Sequence, residues 1–397
     1  MRVAVVGAGI AGLTAALALA RTGHDVAVLE RAEPIEPIGA GIQVSPNAHK
    51  VLRALGLHRA LNAHSSAPRE IAIRDGLNGA LLTRVPLGAA IERRHGAPYL
   101  TVHRGDLQAV LLDAARHAPR LAVRTGAAVV GATADGRITH ASTAGSLAAV
   151  AGGAAPGSGG VATGEPSRER FDLIVGADGV RSAVRAAVRD DAADETGATA
   201  WRALVPSEAL PRALAGPHTG LWLGPNAHLV HYPVRSGTET NLVAVTPRGE
   251  AVGDAFAGWH ADPRALLNAA PEWRPWPTRQ LDPARPWSRG RVVLIGDAAH
   301  AMWPYAAQGG AMAIEDGWTL AAALRNGTGA LAAWEAARRA RVSSIARLAA
   351  RNRRIYHGSG PVRLARNLAM RATSAAALMR AMDAVYSWSP PAMRSSP

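Results

Sequence analysis

The architecture follows from ten residues near the start of the chain, Val3-Ala4-Val5-Val6-Gly7-Ala8-Gly9-Ile10-Ala11-Gly12. Four apolar residues that suit a buried strand run directly into a Gly-x-Gly-x-x-Gly turn. A helix-forming run from Leu13 to Arg21 follows, and residues 25–29 predict a second short strand that ends at the acid Glu30. This order of strand, turn, helix and strand is typical of a dinucleotide-binding unit.

Spacing gives each glycine of the turn a role. Gly7 allows the tight turn, Gly9 lets the backbone approach a pyrophosphate, and Gly12 lets the helix pack on the strand. The amino terminus of the helix offers free N–H groups and the positive end of its dipole to phosphates. Glu30, eighteen residues beyond Gly12, is placed to accept hydrogen bonds from ribose hydroxyls. The motif by itself does not separate NAD from FAD.

The same segment superficially matches a targeting signal. Met1-Arg2 followed by the apolar residues 3–20 looks like a secretory signal peptide or a membrane span. The complete strand–turn–helix–strand unit argues against both, and no other segment qualifies as a span. We therefore expect a soluble, cytoplasmic protein that keeps this segment.

The composition excludes several kinds of site. Cysteine is absent from the 397 residues, which rules out disulfides, Cys-ligated zinc, iron–sulfur clusters and a thioether-linked flavin. At about 150 residues per domain, the length suggests two or three domains. The formal charge of +14 comes from scattered arginines, with Lys50 the one lysine, whereas nucleic-acid binders concentrate charge on one face. We therefore expect no nucleic-acid partner. Histidines and acids show no recurrent ligand spacing, so we also expect no bound metal.

The rest of the chain alternates helical and β-prone segments. Residues 143–168 are rich in Gly, Ala and Ser without periodicity and predict a flexible connecting insert. Short β-prone runs between about 200 and 245 predict an antiparallel sheet in a second domain. Amphipathic residues 362–386 predict a helical segment that caps the core, forms a dimer interface or lies on a membrane. Further predicted helices are 48–55, 107–115, 310–324 and 330–351, and further predicted strands are 171–175 and 292–295.

A second signature follows the strand at 292–295. It reads Gly296-Asp297-Ala298-Ala299-His300, and Gln308-Gly309-Gly310 then opens a helix. A carboxylate at the carboxyl end of a strand lies where open α/β sheets bind ligands, so Asp297 is placed to accept hydrogen bonds from polyol hydroxyls. The helix at Gly310 points its positive end at the same region. We expect His300 to be a structural hydrogen-bonding residue beside Asp297.

Three ordered motifs carry a family resemblance. GAGIAG with Glu30, GADG at 176–179 and GDAAHAMWPYAAQGGAMAIED at 296–316 together resemble the single-component FAD-dependent aromatic hydroxylases, the p-hydroxybenzoate hydroxylase-like family. GAGIQVSPN at 39–47, Trp201-Arg202 and LVHYPV at 229–234 most resemble its salicylate, 3-hydroxybenzoate and 6-hydroxynicotinate hydroxylase branch. The resemblance covers residues 1 to about 350, and it is more specific for the fold than for the substrate.

The resemblance implies an α/β fold in which a Rossmann-like FAD-binding domain is interleaved with a β-sheet substrate domain and followed by C-terminal helices. We predict three parts of the FAD-binding domain, two parts of the substrate domain and one helical segment at the carboxyl terminus. The FAD-binding domain comprises residues 1–75, 100–185 and 286–355. The substrate domain comprises 76–99 and 186–285, and the helical segment is 356–397.

The resemblance also implies where a non-covalently bound FAD lies. Arg104 matches the arginine that reaches the FAD phosphates, and Asp178 matches a motif associated with both FAD and nicotinamide binding. Asp297 matches the aspartate on the ribityl-pyrophosphate section, and Gly309 with Gly310 matches the backbone around the flavin pyrimidine. The residues that match the adenosine and pyrophosphate site are Gly7, Gly9, Gly12 and Glu30.

In such enzymes NADH or NADPH reduces FAD, O2 adds to form a flavin hydroperoxide, and this electrophile hydroxylates a phenolic or heteroaromatic substrate. The hydroperoxide must be shielded from water, so the cavity needs an apolar wall. Trp303, Pro304 and Tyr305 are candidates for that wall, with ordinary packing as the alternative. We expect the protein to work as a monomer or a homodimer.

The ring to be hydroxylated must be electron-rich, and a phenol with a pKa of about 10 is mostly protonated at neutral pH. A base or a polarising hydrogen bond would help. Our hypothesis assigns this role to His231, with Tyr305 as the second candidate. Alternation along the strand places His231 and Leu229 on the face opposite to His228, Val230 and Tyr232. For an acidic substrate, the candidate carboxylate-binding arginines are Arg74, Arg84 and Arg202.

Departures from the family keep alternatives open. Some relatives carry glutamine or histidine where this chain has Pro304 and Tyr305, so the resemblance does not determine the substrate. A flavin oxidase or reductase, or a tailoring monooxygenase on a non-aromatic or polyketide compound, would use the same fold. A flavin halogenase would need a WxWxIP motif and a catalytic lysine, which this chain lacks. A basic binding protein on an inactive flavin scaffold is opposed by the intact glycines and aspartates.

Overall fold

A six-stranded, mostly parallel sheet forms the centre of the cofactor half. The computed structural model describes residues 1–36, 39–142 and 167–393. Apolar runs such as residues 3–6 are buried on both faces, as is usual for parallel sheets covered by helices. Val3 pairs with Val26 on one side and with Leu173 on the other. In spatial order the strands are β18 (Ser288–Arg289), β19 (Val292–Leu294), β12 (Leu173–Gly176), β1 (Arg2–Val6), β2 (Asp25–Leu29) and β8 (Leu121–Arg124).

A seven-stranded sheet forms the second half. All its neighbouring strands are antiparallel except Thr219–Leu223 and Glu70–Asp75, which pair in parallel. The β-prone runs predicted between 200 and 245 are strands of this sheet. In spatial order it contains β17 (Arg274–Gln280), β13 (Asp194–Pro206), β16 (Glu239–Pro247), β15 (His228–Val234), β14 (Thr219–Leu223), β5 (Glu70–Asp75) and β6 (Leu81–Pro86).

The remaining strands form two small three-stranded sheets. One contains β11 (Ser167–Arg170), β10 (Arg137–Ser142) and β9 (Ala127–Ala132), and the other β3 (Gly41–Val44), β7 (Leu100–His103) and β4 (Ser65–Ser66). Most of the predicted insert 143–168 lies outside the described residues, and its last two residues begin β11. The domain boundaries stay predictions, although β5 belongs to the seven-stranded sheet while its residues were placed in the first part of the FAD-binding domain.

Twelve helices surround these sheets in the described part of the chain. The first helix packs closely against the ninth, because a Cβ on Gly317 would lie 2.7 Å from the backbone nitrogen of Ala15. The helices are α1 (Ile10–Arg21), α2 (Pro46–Ala54), α3 (His58–Ala63), α4 (Ala89–His95), α5 (Arg104–His117), α6 (Val252–Ala255), α7 (Ala261–Asn268), α8 (Asp297–His300), α9 (Gly309–Leu324), α10 (Leu331–Tyr356), α11 (Gly360–Ala372) and α12 (Ala375–Tyr386).

The predicted helical segment 362–386 is two helices, α11 and α12. Ser374 separates them, because its side chain accepts a hydrogen bond from the backbone N–H of Ala377 and caps α12. Helix α11 buries the polar residues Arg366 and Asn367, while Leu368 is 72% exposed. No helix in the described ranges is long and apolar enough to cross a membrane.

Candidate cofactor and substrate site

The glycine turn between β1 and α1 has the geometry that the sequence predicts. Gly7 has a φ of +100°, and a Cβ there would lie 2.7 Å from the carbonyl oxygen of Ala177. A Cβ on Gly12 would lie 1.9 Å from the carbonyl oxygen of Gly7. A Cβ on Gly9, in contrast, would meet no atom within 4 Å. Two glycines therefore permit the packing, and Gly9 leaves open space at the amino terminus of α1.

Glu30 lies at the end of β2 and faces the glycine turn. Its Oε2 accepts a 2.7 Å hydrogen bond from the backbone N–H of Ala8, and its Oε1 accepts one from Ala32 at 3.0 Å. Each carboxylate oxygen can accept a further hydrogen bond. Glu30 thus holds the turn in shape and keeps acceptor capacity beside it.

One cavity of about 620 Å³ lies between the two large sheets. Its cofactor side includes five of the predicted FAD residues: Gly9, Arg104, Asp297, Gly309 and Gly310. Its other side is formed by β15 and its neighbours, together with residues of α10, α11 and α12. The residues predicted from separate motifs therefore border a single space.

Arg104 brings a partly buried positive charge to this cavity. Burial lowers the pKa of its guanidinium, the Asp297 carboxylate opposes that shift, and the charge of Arg202 adds to it. No described carboxylate pairs with Arg104 at ion-pair distance. A partly buried arginine that forms no ion pair, beside the open position of Gly9, suits the diphosphate of a dinucleotide.

Asp178 lies behind the cavity wall and holds the loop that follows it. Its carboxylate accepts hydrogen bonds from Ser182 Oγ at 2.6 Å, from the backbone N–H of Ala183 at 2.7 Å and from that of Val184 at 3.2 Å. Burial raises the pKa of Asp178 against the effect of these donors. The loop that it holds contributes Gly179 to the cavity, whereas Asp178 itself is not among the lining residues.

A buried polar network, which the sequence did not predict, supports the start of α9. Asn47 Nδ2 donates to Oε1 of Gln308 at 3.2 Å and to Oε1 of Glu315 at 2.7 Å. Gln308 Nε2 donates to Ser45 Oγ at 3.1 Å, and Arg338 donates to the other oxygen of Glu315 at 2.6 Å. The only sequence signal was the GAGIQVSPN stretch, which contains Ser45 and Asn47. Gln308 lines the cavity, so the network links α2 to the cofactor side.

His300 is structural, as expected, but its partner is not Asp297. Its Nε2 lies 2.6 Å from Oδ2 of the buried Asp316, which also accepts from the backbone N–H of Gly296. Burial alone would raise the pKa of Asp316, but His300 and Arg338 lower it to about 2. Within the described ranges, His, Asp and Glu side chains form no group of three or more that could hold a metal ion.

The predicted wall residues Trp303, Pro304 and Tyr305 all line the cavity. Tyr305 is 4% exposed, and its hydroxyl makes no hydrogen bond of ordinary geometry to the described protein. Burial raises the pKa of Tyr305, with the Arg353 guanidinium acting in the opposite direction. The Arg353 guanidinium also lies over the ring of Trp303, 4.6 Å from its centroid. The position of these three wall residues supports a role in shielding the cavity from water.

His231 does not reach the cavity, which corrects the hypothesis for the base. It is 1% exposed on the opposite face of β15, beside the rings of His218 and Trp222. Burial lowers its pKa to about 3. Alternation separated His231 from His228 as predicted, but it does not tell which face meets the cofactor side. The cavity face carries His228, Val230 and Tyr232.

His228 is the histidine that borders the cavity. It is 4% exposed, and its Nδ1 lies 2.9 Å from Nε2 of His357 at the end of α10. Its ring also contacts those of Tyr305 and Tyr356, with centroids 5.2 Å and 5.5 Å away. Burial lowers the pKa of His228 well below its usual value. Sequence analysis did not select His228, because it assigned the opposite face of the strand, with His231, to the site.

Of the three candidate carboxylate-binding arginines, one lines the cavity. Arg202 lies there, and its buried Nε has no hydrogen-bond partner among the described residues. Arg84 instead forms an exposed ion pair with Glu70. Arg74 lies over the ring of Trp222 and donates to the carbonyl of Gly79. Four arginines therefore line the cavity, and two of them, Arg104 and Arg202, are site candidates from the sequence; the others are Arg279 and Arg351.

Comparisons with known proteins agree with this geometry. The family described as FAD binding domain matches residues 1–349. The chain is 37% identical to 3-hydroxybenzoate 6-hydroxylase of Polaromonas naphthalenivorans (strain CJ2), over 97% of this chain and 96% of the relative. It is 35% identical to 6-hydroxynicotinate 3-monooxygenase of Bordetella bronchiseptica, over 79% and 80%.

A solved structure has the same fold and contains the cofactor. HpxO of Klebsiella pneumoniae, complexed with FAD and uric acid, matches with a TM-score of 0.80 and 27% identity, over 97% of this chain and 96% of that chain. The protein belongs to the FAD binding domain family and is an FAD-dependent aromatic hydroxylase.

Proposed function

We propose that the protein hydroxylates an anionic phenolic or heteroaromatic ring, using NADH or NADPH as reductant and O2 as oxidant. The observation that carries this proposal is the single cavity in which Gly9, Arg104 and Asp297 border the same space as His228 and Tyr232. On sequence grounds, we also propose that the protein acts in the cytoplasm as a monomer or homodimer.

The residues of the cofactor side would hold FAD. Gly9 and the amino terminus of α1 would receive the diphosphate together with Arg104, while Glu30 and Asp297 would accept hydrogen bonds from ribose and ribityl hydroxyls. Gly309 and Gly310 would place the start of α9 beside the flavin pyrimidine. FAD bound there would take two electrons from the nicotinamide and activate O2 for transfer of one oxygen atom to the ring.

His228 would act on the hydroxyl of the substrate ring. Its Nδ1 is engaged by His357, so Nε2 is the nitrogen left to accept a hydrogen bond from the substrate. Burial keeps the imidazole neutral, and Nε2 then has its lone pair available when Nδ1 carries the hydrogen. Accepting this hydrogen bond draws the phenolic proton away from oxygen and raises the electron density of the ring.

The remaining cavity residues would bind the anionic group of the substrate and exclude water. Arg202, with its unpaired buried Nε, supports the choice of an anionic substrate. Trp303, Pro304 and Tyr305 would exclude water from the reacting atoms. The relatives named for 3-hydroxybenzoate and 6-hydroxynicotinate suggest rings that carry both a hydroxyl and a carboxylate.

The test begins with the FAD-loaded protein. Hydroxybenzoates, hydroxynicotinates, aminohydroxybenzoates and urate are screened for stimulation of NADH and NADPH oxidation, with peroxide measured in parallel. Reactions under ¹⁸O2 should yield a product that contains one ¹⁸O atom. Oxidation of the nicotinamide that yields only peroxide with every ring would contradict hydroxylation and indicate an oxidase. A protein that stays colourless after incubation with FAD would contradict the cofactor assignment.

A further inference from the structure

His228 and His357 form a pair that runs from the cavity towards the surface. Their facing nitrogens, Nδ1 of His228 and Nε2 of His357, lie 2.9 Å apart. The backbone holds the same arrangement, because the N–H of Asn226 donates to the carbonyl of His357 at 3.3 Å. His228 is buried and lines the cavity, whereas His357 is partly exposed at the carboxyl end of α10.

The surroundings keep both imidazoles neutral. Arg353 and Arg366 are the charged groups that act on His357, and burial together with these two charges lowers its pKa to about 4. Burial, with His357 as a smaller contribution, lowers the pKa of His228. The other titratable groups that face the pair are the rings of Tyr305 and Tyr356.

Two neutral imidazoles joined by one hydrogen bond can have either of two arrangements of donor and acceptor nitrogens. If Nδ1 of His228 carries the hydrogen, it donates to Nε2 of His357, and Nε2 of His228 keeps its lone pair towards the substrate. The opposite order would place a hydrogen on Nε2 of His228, which could then donate but not accept. The tautomer of His357 therefore decides whether His228 can accept a proton.

We propose that His357 is a positioning residue that holds His228 in its proton-accepting tautomer and relays the substrate proton to solvent. This inference rests on the proposed hydroxylation and on His228 as its proton acceptor. The phenolic O–H bond breaks and an N–H bond forms at Nε2 of His228. The hydrogen on Nδ1 of His228 passes to Nε2 of His357, and Nδ1 of His357 releases its own hydrogen to water. One proton leaves the cavity for each phenolate formed, and no electrons move.

The test compares His357→Phe with His357→Gln in the FAD-loaded protein. Phenylalanine fills the site without a hydrogen bond, whereas the glutamine amide can still accept from Nδ1 of His228 but cannot relay a proton. We expect His357→Phe to lower kcat for hydroxylation by about 10- to 100-fold. This is at or below the lower end of the roughly 100- to 10,000-fold typical of general acid–base catalysis, because His228 itself remains in place. Raising the pH should recover part of the loss, because solvent hydroxide then takes the proton. His357→Gln should keep the KM of the parent but not its kcat.

Two further measurements separate positioning from a general structural role. His231→Phe, on the opposite face of the same strand, is the matched control and should keep kcat and its pH dependence. ¹⁵N NMR of labelled histidine should show a protonated Nδ1 on His228 in the parent and a mixed tautomer in His357→Phe. This spectrum tests the positioning role even if no ring is hydroxylated, in which case the proposed function fails separately.

Three results would overturn the relay. The first is an unchanged kcat and pH profile in His357→Phe. The second is an equal loss in both variants accompanied by weaker FAD binding and lower thermal stability, which would indicate damage to the fold. The third is a parent spectrum with the hydrogen on Nε2 of His228.

Discussion

Asn47 Nδ2 donates a 2.7 Å hydrogen bond to Oε1 of Glu315, a carboxylate with no solvent exposure that lies 268 positions later in the chain. The same amide donates to Gln308 at the start of α9, and Arg338 and Arg341 donate to Glu315 from α10. Three separate helices are thereby held together by one buried acid. Polar groups of this kind are costly to leave without partners.

Replacing Asn47 with leucine should destabilise the protein by about 1–3 kcal/mol, because Glu315 loses a donor that water cannot replace. FAD affinity should also fall, since Gln308 loses one of the groups that orient it. Urea denaturation and FAD titration measure the two effects. Asn326→Leu, at an exposed turn, serves as the control and should change neither. Equal stability of Asn47→Leu and the parent would show that the network does not hold these helices.

The glycine turn allows stability and cofactor binding to be separated. Gly9→Ala should leave the unfolding temperature of the FAD-free protein unchanged, because its Cβ meets no protein atom and its φ of −78° suits alanine. The added methyl group should weaken FAD binding by at least about tenfold, or 1.4 kcal/mol, by occupying the space for the pyrophosphate. Gly12→Ala should instead destabilise the fold itself, since its Cβ would overlap the carbonyl of Gly7. Tight FAD binding by Gly9→Ala would place the pyrophosphate elsewhere.

Arg104 should contribute to FAD affinity through charge. Arg104→Gln should raise the Kd for FAD by about 10- to 100-fold, corresponding to a charged hydrogen bond of about 1.5–3 kcal/mol. The difference from the parent should shrink with increasing salt, and the Kd follows from quenching of flavin fluorescence. Arg264→Gln removes an exposed charge and tests for a general effect of net charge. If both variants lose affinity equally, the effect of Arg104 is not local.

His231 should make the fold sensitive to acid while leaving hydroxylation unaffected. Its pKa is about 3 in the folded chain, below the ordinary value of 6.5, so the unfolded chain binds a proton that the fold excludes. The free energy of unfolding should therefore fall as the pH drops from about 6.5 to 3, by up to about 1.4 kcal/mol per pH unit from this residue. His231→Leu should remove that slope in urea denaturation at a series of pH values. His117→Leu, at an exposed position, should leave the slope intact, and a hydroxylation rate that falls in His231→Leu would restore this residue as the base.

Asp75 should hold the carboxyl-terminal helices over the cavity. Its buried carboxylate accepts from Nε of Arg363 at 2.8 Å and from Nδ2 of Asn367 at 2.5 Å, both on α11. Burial would raise its pKa, but these donors lower it to about 2. Asp75→Asn leaves the partly buried Arg363 and the buried Arg366 without their counter-charge and should cost about 3–5 kcal/mol. Limited proteolysis should then cut near α11 first, and the substrate KM should rise because α11 and α12 contribute to the lining. Asp113→Asn, at an exposed site of α5, is the control; cleavage unchanged in Asp75→Asn would contradict this role.

The sequence by itself determined the local units. The glycine turn, the strands on both sides of it and the helix after Gly309 were all predictable, because turn sterics and hydrophobic periodicity act over a few residues. Period-two alternation also separated His231 from His228 correctly. The family motifs then predicted one cofactor site from Gly9, Arg104 and Asp297, and these residues do border one cavity.

Only the tertiary structure decided which face of β15 meets that cavity, because alternation groups residues by face without stating what packs there. It also gave His300 the partner Asp316, Asn47 the partner Glu315 and His228 the partner His357. Those pairs are 16, 268 and 129 positions apart. Their contacts depend on how helices and sheets pack, and no local preference of the chain encodes that distance. The proposed cofactor residues are therefore predictable from local motifs, whereas the proposed proton chemistry depends on tertiary contacts.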